Sequence, residues 1–175
     1  MHIVLAVLGA IAAILFYMNR ISKSAGDLVD TANEIGNLPR KLRYRKKAGK
    51  RGLDLVSNPI EAATVLMISV ARLDRLGRVS DAQAGAMAEE LSAHMQLEPD
   101  YAEDLIIQMQ SLSGHLVQPE STLFPMISLL QNNISQEDAK DLAGMMKRIA
   151  SVDSPIAADQ ADFIRRYKDR MGLLG

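Results

Sequence analysis

Residues 60–73 read IEAATVLMISVARL, a run that is apolar on several helical faces at once. A helix of that kind has no side to give to water and must be buried. The run therefore predicts the central helix of an all-α bundle. Ser57-Asn58-Pro59 opens it, with the proline in the first turn, where a missing N–H does no harm.

Working outward, the chain reads as a series of capped helices. Ser80-Asp81-Ala82-Gln83 has capping-box spacing and starts a helix with Met87, Leu91, His94 and Met95 on one face. Pro99-Asp100 begins the next, with Leu105, Ile106 and Met109 inward and Gly114 at its end. Pro119-Glu120 begins a fourth, running to Leu130, and Ser135 caps a fifth, which holds Leu142, Met145, Met146 and Ile149. A sixth runs from about Ala158 to Met171 on a stripe of Phe163, Ile164, Tyr167 and Met171. The methionines, Met126 among them, are spaced as core, and an exposed part of such a stripe would make an adaptable docking surface. No run alternates as a strand does, so six to seven helices are expected, joined by short turns. Composition agrees: 48% of residues are apolar but only 4% aromatic, with no Trp. Ala, Leu, Ile and Met are helix formers. The absence of Cys excludes disulfides and thiolate metal sites.

Two segments echo one another. Val70-Ala71-Arg72-Leu73-Asp74 leads into Gly77-Arg78-Val79 and a helix with Gln83 in its first turn. Ile149-Ala150-Ser151-Val152-Asp153 leads into Ser154-Pro155-Ile156 and a helix with Gln160 early in it. This arrangement resembles the TerB-like fold of tellurite-resistance proteins, also found in the cytoplasmic part of certain membrane-anchored DnaJ-type co-chaperones. Members repeat a helix–Asp-Gly-turn–helix unit with a Glu early in the second helix. The resemblance covers roughly Pro59 to Leu173. It implies an all-helical domain, divalent-metal binding through the paired acids, and a bacterial role in envelope or chemical stress. Asp74 and Asp153 match the family Asp, with Asp81, Asp159 and Asp162 as helpers to a metal site. The Gly is displaced to Gly77 in one copy and replaced by Ser154 in the other, and Gln83 and Gln160 stand where the family has Glu. Hard cations take several anionic oxygens, so two amides for two carboxylates weaken such a site. Each Asp could instead stabilise the turn or helix start that follows it. No His-Pro-Asp tripeptide occurs, so J-type co-chaperone activity is not expected.

Upstream, the character changes. Ile3 to Met18 is an unbroken apolar run ended by Asn19-Arg20, at the short end of the roughly 17–25 residues that span a bilayer. No Lys or Arg precedes it, and bulky Leu15-Phe16-Tyr17-Met18 fill its end, against a cleaved signal peptide. Residues 1–19 thus read as a single transmembrane anchor, 20–52 as a partly helical basic connector, and 53–175 as the helical domain. Gly9 and Ala13 could pack one anchor against another, in a homo-oligomer or as an accessory subunit of a larger membrane complex. From Asn19 to Arg51 there are ten Lys/Arg against three acids, a net +7; from Gly52 onward ten against eighteen, a net −8. The positive flank places the domain in the cytoplasm and the N-terminus outside the inner membrane. Arg40, Lys41, Arg43, Arg45, Lys46, Lys47, Lys50 and Arg51 would touch anionic lipid, at roughly 1 kcal/mol per cation. With one Tyr among them and no groove-reading motif, nucleic acid ranks below lipid and below a plain solvated linker.

No HExxH, GxSxG or phosphate-binding Gly loop occurs, and the three histidines, His2, His94 and His115, do not cluster in the chain. The expectation is a non-enzymatic, membrane-tethered interaction module, with a metal-responsive stress protein as its rival.

Overall fold

A computed structural model describes residues 52–74, 77–114 and 117–174. The anchor, its packing pair Gly9 and Ala13, and the eight cations of the connector lie outside the described residues, as does His115. Among the described residues there are six α-helices and no strand: α1 Pro59–Arg72, α2 Asp81–Met95, α3 Pro99–Leu112, α4 Leu123–Leu130, α5 Gln136–Ala150 and α6 Ala158–Arg170. Short 3-10 helices, Gly52–Leu55 and Pro119–Thr122, precede α1 and α4. None of these helices is long and apolar enough to cross a membrane.

α1 is the centre. Every residue from Glu61 to Ala71 is buried, and α2 to α6 all pack against it. Ala62, Ala63, Ser69 and Ala71 keep its surface low enough for neighbours on all sides. α2 and α3 pair on one flank, α4 pairs with α6 on another, and α5 packs against α2 and α6. Phe163, Ile164 and Tyr167 of α6, with Met171 just past its end, are buried, as the stripe predicts. Met87, Met109, Met126, Met145 and Met146 are all at most 1% exposed, so these methionines fill the core rather than a docking surface.

The helix expected from Pro119 to Leu130 comes in two pieces. Pro125 has no N–H to return to the Ser121 carbonyl, and the chain tightens ahead of it: Thr122 Oγ1 donates to the Pro119 carbonyl at 2.7 Å. The same hydroxyl lies 2.8 Å from Ser69 Oγ, which ties this corner to α1. At the far end Gly172 adopts φ +69°, and Leu173 N–H reaches the Lys168 carbonyl, closing α6 in a left-handed cap.

Candidate functional site

The two echoed turns are neighbours in space. Ser80 Oγ, at the start of α2, donates to Asp153 Oδ2 of the α5–α6 turn at 2.6 Å. Gln160 Nε2, in the first turn of α6, donates to the carbonyl of Val70 near the end of α1 at 3.0 Å. These bonds join residues 73 and 90 positions apart.

Each turn is shaped by its own letters. Asp74 Oδ1 accepts the Gly77 N–H at 2.9 Å, and Gly77 sits at φ +64°, where a Cβ would strain the backbone. The glycine is therefore displaced to 77 because that is where the first turn goes left-handed. In the second turn Ser154-Pro155 needs no positive φ. The Gln residues cap. Gln83 Oε1 accepts the Ser80 N–H at 3.1 Å while Gln83 N–H donates to Ser80 Oγ at 3.0 Å, a complete capping box. Gln160 Oε1 accepts the Ala157 N–H at 2.9 Å, which is half of a box, since Ala157 has no side-chain oxygen. Both glutamines are 1% exposed. A carboxylate could accept those N–H groups equally well, but, unlike the amide, it could not also donate to Val70.

Chemically, the arrangement is a pair of braced turns. Asp74 and Asp153 are brought to the same end of the domain, each holding a protein donor. Asp81 and Asp159 are exposed at the starts of α2 and α6, and Asp162 turns to Arg165 at 2.6 Å. Among the described residues no three His, Asp or Glu side chains converge as a metal centre.

A second polar cluster lies between α2 and α5. Arg148 makes a two-pronged ion pair with Glu90, Nε to Oε1 and Nη2 to Oε2 (2.7 Å for the latter). His94 Nε2 is 3.3 Å from Glu90 Oε2. The Glu90 hydrogen bond, with the charges of Glu90 and Asp141, pushes the Arg148 pKa up against a smaller desolvation effect. An exposed pair of this sort contributes roughly 0.2–1 kcal/mol and serves to fix α2 on α5.

The sequence patterns did not single out Glu61, whose side chain is buried in the first turn of α1. It accepts the Ser57 N–H at 2.7 Å, and its own N–H donates to Asn58 Oδ1 at 2.9 Å. Asn58-x-x-Glu61 carries that signal in plain capping-box spacing. Burial first, then the Glu61 charge, raises the pKa of Tyr101. Burial also pushes Tyr167 well above the ordinary phenol range, and its hydroxyl donates to the Ala139 carbonyl at 3.2 Å.

The surface is divided by charge. Between Arg78 and Lys140 there are ten acids and no Lys or Arg. This interval contains all of α2, α3 and α4. From Lys140 onward there are seven Lys/Arg against five acids.

A family model described as tellurite resistance protein TerB matches residues 60–174. No curated protein matches, and no solved structure matches.

Proposed function

The chain belongs to the TerB family, and on that premise we propose that it is a membrane-tethered, non-enzymatic interaction module of the tellurite and envelope stress response. Its partner in this reading is a protein that meets the acidic helical surface on the cytoplasmic side of the inner membrane. One observation carries the proposal: the buried polar side chains of the domain are spent on the fold. Glu61, Gln83 and Gln160 hold helix starts, Thr64, Ser69, Ser113 and Thr122 bond backbone carbonyls, and no buried side-chain N or O among the described residues lacks a partner. What is left to act on other molecules is the surface, and its leading property is the division of charge. The apolar run 3–18 and the eight cations of 40–51 support the tether.

The full chain should stay with membranes through an alkaline wash and be released when residues 1–19 are removed. Replacing the eight cations by Gln should lower binding to anionic vesicles. A chain that washes off intact membranes defeats the tether, and specific turnover of a substrate defeats the non-enzymatic role.

A second reading, a divalent-metal-responsive module, draws on the Ser80–Asp153 bond, which brings the two Asp turns to one end. Calorimetric titration of the full chain with calcium, magnesium and zinc tests it, and no heat with an unshifted melting temperature removes it.

A further inference from the structure

Among the six described helices, α4 is the one with no charged residue. Its outer face carries Phe124, which is 48% exposed, with exposed Pro125 and Ser128. The guanidinium of Arg170, on α6, lies over the Phe124 ring, 4.5 Å from its centroid. Arg166 is one helical turn earlier on α6, where four-residue spacing puts it along the same edge. Neither arginine forms an ion pair among the described residues. The side chains thus grade from a half-exposed aromatic through a neutral helix face to two unpaired guanidinium groups.

We propose that this face of α4, with the adjoining edge of α6, is the surface the domain lays against an anionic bilayer, an inference that rests on the membrane tether proposed above. An aromatic ring and snorkelling arginines suit the headgroup layer, where the ring meets acyl chains and the cations meet phosphates. The α2–α3 flank rules itself out by charge. Ile107 on α3 is more exposed than Phe124, at 64%, but it lies in a helix with Asp100, Glu103 and Asp104 and no cation. An anionic surface repels that flank and attracts the Arg166–Arg170 edge, so the two act together to set one orientation.

The chain contains no Trp, so Phe124→Trp and Ile107→Trp each install a sole indole at an exposed site. The full chain carrying either would be reconstituted into vesicles of phosphatidylcholine and phosphatidylglycerol with brominated acyl chains. Flotation is checked first, and helical circular dichroism confirms that each variant is folded. Ser128→Trp stands in if Phe124→Trp is not. The expected result is quenching at position 124 about twofold or more above that at 107, and a smaller difference when Arg166→Gln and Arg170→Gln are added. Equal quenching in chains that float overturns this inference and leaves the tether standing. Chains that do not float remove the tether and the inference with it. A blue shift at 124 that follows protein concentration without lipid quenching means a second copy covers the face, which also overturns it.

Discussion

At the α1–α2 turn, the hydrogen bonds of Gln83 stay with Ser80 in the first turn of α2, and the acid, Asp74, folds back on Gly77. At the α5–α6 turn, Gln160 caps α6 and also crosses to Val70 in α1, and the acid, Asp153, crosses to Ser80. The first turn is closed on itself, with a complete box and a left-handed glycine. The second has an incomplete box and no such glycine, and it is held by reaching the first. Similar letters at similar stations therefore do local work in one copy and long-range work in the other. The difference also accounts for an amide at 160: the position must accept at one end and donate at the other, which a carboxylate cannot do.

The sharpest break in this comparison is a matched pair of substitutions. Gln160→Glu loses the bond to Val70 and sets a buried carboxylate against a carbonyl, so it should cost about 3 kcal/mol or more in a urea-unfolding midpoint. Gln83→Glu keeps its cap and should cost less than about 1 kcal/mol. The deficit of Gln160→Glu should shrink as pH falls toward 4, where the new carboxyl takes a proton and can donate to Val70. Equal costs for the two would show that the amide at 160 has no second task.

Tyr167 extends the contrast to alkaline pH. Its pKa and that of Tyr101 are raised in the folded chain, whereas unfolded tyrosine titrates near 10. Stability from both is fully present below about pH 10 and is lost as pH rises through the folded values. Tyr167→Phe should cost about 1 kcal/mol at neutral pH and flatten the alkaline fall, measured by denaturant unfolding from pH 8 to 11. An unchanged alkaline limb would assign that fall elsewhere.

Gly77→Ala meets no atom but is strained at φ +64°, and should cost about 1 kcal/mol. Ser154→Ala in the other turn should be near neutral. The smallest effect tests the bridge itself. Ser80→Ala loses a cap, at about 1 kcal/mol, and Asp153→Ala about half that. Their double-mutant cycle should return a coupling of a few tenths of a kcal/mol or more, and strict additivity would mean the two turns meet without holding each other.

The sequence carried the fold well where the signal was local. Residues 60–73 have no polar face, and burial on all sides follows; Ser80-x-x-Gln83 and Ser135-x-x-Asp138 are boxes in letters and in space. The stripe of Phe163, Ile164, Tyr167 and Met171 marks α6, although its cap position holds Ala157, which gives no cap signal. Asn58-x-x-Glu61 was overshadowed by Pro59, which explains the helix start without it. The site was legible only as far as the two turns. That Gln160 meets Val70, or Ser80 meets Asp153, depends on how α6 packs on α1 and α2 on α5, and no spacing along the chain encodes that. The division of charge was hidden by summing over the whole domain, where the cations beyond Lys140 blur the cation-free interval before it.

The burial of α1 from Glu61 to Ala71 also bears on how the protein is made. α1 leaves the ribosome before every described helix that packs on it, and α5 and α6, which close its last sides, begin at Gln136 and Ala158, 77 and 99 residues after α1 begins at Pro59. Until then the nascent chain carries a helix with no hydrated side. At 14 residues it is about 21 Å long, short of the ~30 Å hydrocarbon layer, so the membrane offers it no resting place as a span. A message cut off before α5 should yield a polypeptide whose α1 is neither covered nor inserted, and that polypeptide falls to chaperones and proteases.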